Sequence, residues 1–341
     1  MEEQFLEVYT SDFLNKITRK RKGETKIGEL VSTLTNSTSI DFSLKENSSK
    51  FVLLGLPEDI GVRANYGRPG AYSAWNTALE NILNIQSNSF FSGENLLILG
   101  HVPFDDLYEK SKHLNAKNKQ ELEELRELTA LVDQRVYNIA KKVFDVGKIL
   151  IAIGGGHNNS YPLLKAFAGK DGINCINIDP HSDFRPLEGR HSGNGFSYAK
   201  ENGYLNKYFV LGLHENYNSS AIIERFNTND ELDFVSYEEI CIREEITLSE
   251  AILKAISFCA NNRIGLEIDL DSIQNIPSSA KTSSGFLPFE VRKAIHKIAS
   301  SKMCNYFHIA EGAPVLSHIK TDNKTGKLIA YLVSDFVKAV K

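Results

Sequence analysis

The chain has 341 residues, 42% of them hydrophobic and 24% charged, with a formal net charge of −4 at neutral pH. That length suits one large α/β domain or two small ones with a sizeable core; the mildly acidic balance argues against a nucleic-acid partner, and no apolar run approaches a membrane span. The four cysteines, Cys175, Cys241, Cys259 and Cys304, form no C-x-x-C pair, and with an acidic start, Met1–Gln4, that lacks a signal core they fit a cytoplasmic protein without disulfides.

Residues 1–50 are polar, rich in Ser, Thr, Asn and Lys, and are expected to form an extension packed on a single domain running from 51 to 341. The basic run Arg19–Lys22 has no interleaved aromatics and reads as a solvated patch. A first strand, Phe51–Leu56, is stopped by Pro57. A loop from Glu58 to Gly70 carries Arg63, Asn65 and Arg68 before a helix from about Ser73 to Leu83. A second strand is expected over Asn95–Gly100. The spacing predicts a helix over 119–147, with Leu122, Leu125, Leu128, Leu131 and Val132 on a core-facing stripe.

Ile149–Ile153 is a continuous apolar run, the pattern of a parallel strand covered on both faces. It closes on Gly154-Gly155-Gly156-His157, and a helix start follows near Tyr161-Pro162. Neither G-x-G-x-x-G nor G-x-x-x-x-G-K-[ST] is present, which argues against a phosphate loop. The next run, Ile173–Ile178, leads into Asp179-Pro180-His181-Ser182-Asp183. Tyr208–Leu213 ends at His214. A helix over Leu248–Asn261 precedes the strand Arg263–Ile268, which closes on Asp269-Leu270-Asp271. A helix over Glu290–Ser301 precedes Tyr306–Ala310, which ends in Glu311-Gly312-Ala313-Pro314. This alternation predicts an α/β fold of three layers, α/β/α, around a mainly parallel sheet.

Four strands thus finish in acids or imidazoles, and ligands of open α/β sheets collect at the carboxyl ends of strands. On an extended backbone Asp179, His181 and Asp183 point to one side. So do Asp269 and Asp271, which repel one another unless a cation neutralises them. Carboxylates with imidazoles and no thiolate suit Mn²⁺ or a similar divalent ion. The motifs therefore predict a metal site.

Spread over roughly residues 51–315, these blocks resemble the ureohydrolase family, the arginase and agmatinase group, and most closely its formimidoylglutamase branch. Gly156 stands where arginases usually carry Asp, Pro180 replaces a usual Ala, and the loop Gly61–Arg68 also resembles that branch. The resemblance implies an arginase-like fold, a homo-oligomer, a small-molecule substrate and two Mn²⁺ ions. His157, Asp179, Asp183 and Asp269 would hold one ion; His181 and Asp271 would complete the other, with Asp179 and Asp269 bridging. It implies hydrolysis of a linear amidine, N-formimino-L-glutamate, to L-glutamate and formamide, with Asp183 moving a proton and Glu311 orienting substrate nitrogens. Where arginases and agmatinases usually place a histidine before a glycine, this chain has Ser192, with His191 one residue earlier; His191 is carried as a candidate acid, and the choice between the two stays open. A substrate with two carboxylates calls for guanidinium groups. Arg63, Arg185 and Arg190, with Arg68 nearby and Asn194 in the same loop as Arg190, are the candidate substrate-binding residues. The alternatives are a guanidino hydrolase of the same family and a metal-binding relative without turnover, the latter suggested by Pro180 and by Gln274–Pro277 in place of the usual Asp-Pro.

Overall fold

The computed structural model describes residues 5–34, 39–169, 172–318 and 323–340; Met1–Gln4, expected to lack a signal core, lie outside the described residues. Among the described residues nine strands form one sheet: β1 (Glu7–Val8), β2 (Phe51–Gly55), β3 (Leu96–His101), β4 (Ile149–Ile153), β5 (Ile173–Ile178), β6 (Leu205–Leu213), β7 (Leu232–Ser236), β8 (Ile264–Asp269) and β9 (Cys304–Ala310). Their order is β1-β3-β2-β4-β9-β8-β5-β6-β7. Every neighbouring pair is parallel except β1 with β3. The four strands that end in acids or imidazoles, β4, β9, β8 and β5, are consecutive neighbours near the centre of the sheet.

Side chains alternate across each strand, so the sheet separates two cores. In β4, Ile149, Ile151 and Ile153 face one core while Leu150 and Ala152 face the other. The first core is closed by α1 (Ser11–Ile17), α4 (Ala74–Leu83), α10 (Tyr237–Cys241), α11 (Leu248–Cys259), α12 (Pro288–Ala299) and α13 (Lys324–Ala339). The second is closed by α2 (Ile40–Glu46), α3 (Ile60–Arg63), α5 (Asp105–Ser111), α6 (Lys119–Asp145), α7 (Ser160–Ala168), α8 (Gly195–Glu201) and α9 (Ser220–Asn227). The fold is the three-layer α/β/α arrangement that the strand–helix alternation predicts.

The long helix α6 starts at Asn118, whose side chain accepts hydrogen bonds from the backbone of Gln120 and Glu121. Its buried stripe runs through Leu122, Leu125, Leu128, Val132, Val136 and Ile139. Leu131, predicted to share that stripe, is exposed. At about 100° per residue it lies half a turn away from Leu122. Ahead of β2, Tyr9, Leu14 and Ile27 enter the first core, and β1 pairs with the edge of β3. The run Arg19–Lys22 is solvent-exposed. All four cysteines are free, and Cys175, Cys259 and Cys304 are buried. Among the described residues no helix is long and apolar enough to cross a membrane.

Candidate metal centre and substrate cavity

Beyond β4 the chain turns sharply through Gly154 and Gly155, at φ +94° and +75°, a backbone that glycine adopts without strain. The turn delivers His157 in a short 3-10 segment ahead of α7. Its Nδ1 lies 3.1 Å from Asp179 Oδ2, 3.1 Å from Asp183 Oδ2 and 3.6 Å from Asp269 Oδ2. Beside this group stands a second, made of His181, Asp269 and Asp271. The ligand-type atoms within each group lie within 4.8 Å of one another. Asp179 is held on both sides: Oδ1 accepts from the His181 backbone at 2.7 Å and Oδ2 from Asn177 at 2.9 Å. Asp269 accepts from the Asp271 backbone at 2.6 Å, and Asp271 from Ala280 at 3.0 Å.

The electrostatics of this cluster call for cations. Burial and the neighbouring charge of Asp271 push Asp269 well above the carboxylate range; burial and Asp179 push Asp183 up. Burial together with Asp271 pushes Glu311 up to about 8. Burial opposes a charged His181, yet Asp179 raises it to about 10. Fully buried, both ring nitrogens of His157 and Oε2 of Glu311 make no well-aligned hydrogen bond among the described residues, and the His157 nitrogens meet carboxylate oxygens only at 3.1–3.6 Å. Oxygen and imidazole donors, orphaned polar atoms and mutually repelling carboxylates fit a pair of hard-to-borderline divalent ions. Asp183 and Glu311 also have φ of +47° and +63°, a left-handed backbone that side chains rarely adopt and that clusters at functional sites.

Glu58, a residue sequence reasoning left unassigned, ties the loop after β2 to this turn. Its Oε1 accepts from Gly156 N, Asn158 Nδ2 and Asn159 Nδ2, and its Oε2 from Ile60 N at 2.8 Å. Glu311 Oε1 accepts from His157 N at 2.8 Å, so β4 and β9 are joined across the site. On the far side, Tyr217 stacks on His181 with ring centroids 5.4 Å apart.

A cavity of about 680 Å³ opens above the cluster, with His181, Asp183, Asp269, Asp271 and Glu311 in its floor and wall; His157 and Asp179 lie beneath, fully buried. The candidate substrate residues divide sharply. Arg185 lines the cavity and donates to Asn65 Oδ1 at 2.8 Å. Three others are not among the lining residues. Arg63 is bound to Ser111 and to the carbonyl of Leu114. Arg190 is buried in a forked ion pair with Asp133 of α6, Nε–Oδ2 2.7 Å and Nη2–Oδ1 3.3 Å, between the rings of Tyr161 and Tyr198. Asn194, also buried, accepts from Arg190 and from the His191 backbone and donates to the carbonyls of Pro186 and Gly189. Arg190 and Asn194 are bonded within the protein and shape their loop, while Arg63 braces α3 against Ser111 and Leu114. Arg68 holds the carbonyls of Ser278 and Ser279, next to the Asp271 segment.

His191, the candidate acid, also lies apart from the cavity. Its ring is buried outside the cavity lining, with Nδ1 accepting from Gly193 N at 3.1 Å and Nε2 at 3.2 Å from Glu188. Burial, reinforced by Arg126, Arg185 and Arg190, depresses it to about 3. A neutral, enclosed imidazole whose single N–H faces Glu188 is poorly placed to serve as a general acid near neutral pH. Ser192, the residue in the place of the usual histidine, lines the cavity instead and receives a hydrogen bond from Asn65 at 3.3 Å. Arg225 and Tyr217 also line it. Arg225 lies on α9, outside every motif, and no sequence signal marks it.

A doubly wound sheet with clustered carboxylates and imidazoles at the carboxyl ends of its central strands defines an α/β protein with a site fit for divalent cations. The Arginase family model matches residues 49–338, and the chain belongs to that family. Curated relatives include the formimidoylglutamase of Streptococcus pyogenes, 25% identical over 296 residues, covering 83% of this chain and 82% of that one. Another is the formimidoylglutamase of Macrococcus caseolyticus, 29% identical over 212 residues, covering 59% of this chain and 64% of the relative's length. Among solved structures, the formimidoylglutamase of Bacillus subtilis superposes with a TM-score of 0.73 at 18% identity, covering 94% of this chain and 93% of that one. The Mn²⁺-containing formiminoglutamase of Trypanosoma cruzi gives 0.70 at 17% identity, covering 93% and 98%. At such identities the solved structures speak for the fold alone.

Proposed function

We propose that the chain hydrolyses N-formimino-L-glutamate to L-glutamate and formamide at a centre of two divalent cations, Mn²⁺ being the ion the donor set suits. The observation that carries the reading is the pair of adjoining groups, His157, Asp179, Asp183 and Asp269 beside His181, Asp269 and Asp271, under a cavity whose wall includes a guanidinium, Arg185. The first group would hold one ion; His181 and Asp271 would hold the other, with Asp179 and Asp269 shared. Bound there, such ions supply Lewis acidity and bring the ionisation of water near neutral pH.

The chain's own groups account for the rest. Glu311 has one oxygen tied to the His157 backbone. Burial and the charge of Asp271 raise it; cations held by Asp271 would relieve that repulsion, and the ionised carboxylate would accept an N–H of the amidine at Oε2 and hold its carbon over the floor. Asp183 borders the same space and would carry a proton from the attacking water to the departing glutamate nitrogen. Water adds to the formimino carbon, the bond from that carbon to the glutamate nitrogen breaks, and the protonated nitrogen leaves. Arg185, steadied by Asn65, would take a carboxylate of the glutamate portion. A cationic guanidino substrate such as agmatine would gain nothing from it.

The test is formamide release from N-formimino-L-glutamate by Mn²⁺-loaded protein, with urea release from L-arginine and agmatine measured alongside. Turnover of the formimino substrate alone is expected. Urea from a guanidino substrate, with no formamide, would move the activity elsewhere in the family.

A further inference from the structure

One pleat below the cluster, three polar residues lie side by side across neighbouring strands: Asn177 of β5 pairs in register with Glu267 of β8, which pairs with His308 of β9. All three are fully buried. They share a sheet face with Asp179 and Asp269, two residues further along the same strands. A buried carboxylate is costly unless bonded, and Glu267 is bonded: Oε2 meets His308 Nδ1 at 2.5 Å and Oε1 accepts from the Tyr306 hydroxyl at 2.8 Å. Gly265 makes room for that phenol, since a Cβ there would lie 2.5 Å from the Tyr306 hydroxyl. His308 Nε2 faces the carbonyl of Gly154 at 3.3 Å, within the turn that delivers His157. Glu267 Oε2 also stands 3.5 Å from His157 Nε2, opposite the edge of the ring that faces Asp179, Asp183 and Asp269.

We propose that Glu267, held by His308 and Tyr306, is a positioning residue for His157, keeping the ring proton on Nε2 and the Nδ1 lone pair toward the carboxylate cluster. This rests on the two-cation reading above. A metal-binding imidazole characteristically gives its second nitrogen to a carboxylate, and loss of that partner weakens the metal 10–100-fold. Asn177 does the same kind of work for Asp179 through its 2.9 Å bond.

The experiment is Mn²⁺ titration of the full chain, followed by calorimetry and by electron paramagnetic resonance, for wild type, Glu267→Gln and Tyr306→Phe. Thermal melts of the metal-free proteins serve as the folding control. Wild type should bind two ions as a coupled pair. Glu267→Gln should retain one and bind the other 10–100-fold more weakly, with the coupled signal replaced by that of an isolated ion until excess Mn²⁺ restores it. Tyr306→Phe should weaken the same ion by a smaller factor. Wild-type affinity for both ions in a folded Glu267→Gln protein would overturn the proposal alone; fewer than two ions in wild type would overturn the two-cation reading with it. Should Glu267→Gln fail to fold, Tyr306→Phe decides: unaltered binding of both ions overturns the proposal, and selective weakening supports it.

Discussion

Two arginines five residues apart, Arg185 and Arg190, have opposite surroundings. Arg185 stands in the cavity wall with one hydrogen bond to Asn65. Arg190 is buried against Asp133 between two tyrosine rings, with further bonds to Asn194 and the carbonyl of Asn158. The same functional group at nearly the same place in a loop is available to a ligand in one case and satisfied by the protein in the other. Residue type and spacing nominate a binding residue; the partners it already has decide whether it binds. The loop from Asp183 to Asn194 therefore has a face toward the cavity, Asp183, Arg185 and Ser192, and a face turned into the protein, Arg190, His191 and Asn194.

The strongest way to break this contrast is Arg190→Ala. Removing one member of a buried pair leaves Asp133 uncompensated, at a cost of about 3–5 kcal/mol. A fall in unfolding free energy of that size in urea melts is expected, whereas a change in KM at unaltered stability would return Arg190 to substrate binding. Metal removal should have an effect of similar size. A ligand at 100 times its Kd stabilises the native state by about 2.7 kcal/mol per site, so chelation of Mn²⁺-loaded protein should lower Tm and re-addition should restore it. An unchanged melt would count against a cation among the buried carboxylates.

His191 sharpens the comparison through pH. Its folded-state pKa of about 3 lies below the ordinary value of 6.5, so the stability it contributes is full above pH 6.5 and is lost as pH falls through the window down to about 3. At about 1.4 kcal/mol per unit, wild type should lose about 2 kcal/mol through this residue by pH 5. His191→Asn, which keeps an acceptor for Gly193 N, should show a shallower decline over that interval; parallel curves would mean that the ring is not buried neutral. The smallest effect is expected of Arg185→Ala. Its KM should rise about tenfold, equivalent to about 1.4 kcal/mol, with kcat and Tm nearly unchanged. A lost Tm with KM preserved would reverse the assignment of the two arginines.

The sheet and the metal-type residues were legible because their signals are local. Apolar runs such as Ile149–Ile153 announce buried strands, and an acid or imidazole just past such a run lands at the carboxyl end of the sheet whatever the neighbouring strands are. What stayed hidden depends on partners far away in sequence. Nothing around Arg190 reveals that Asp133, 57 residues earlier, will meet it. Arg225 reaches the cavity from a helix without a motif. Glu267 and His308 sit inside runs that read as apolar, and only the order β8-β9 brings them together. β1, two residues long, and β7, with partly exposed Asp233 and Phe234, carry too little apolar pattern to be seen.

The strand order also bears on how the molecule comes into being. β9 is the last of the nine strands along the chain, yet it lies between β4 and β8 and alone joins β1-β3-β2-β4 to β8-β5-β6-β7. Without residues 304–310 the sheet would fall into two halves, with β4 and β8 each left as an open parallel edge. Such unpaired edges are the surfaces through which partly synthesised chains misassociate. His157, just past β4 on one half, and Asp269, at the end of β8 on the other, lie within 3.6 Å of each other, so the cluster spans the seam that β9 fills and depends on the last strand of the sheet for its geometry.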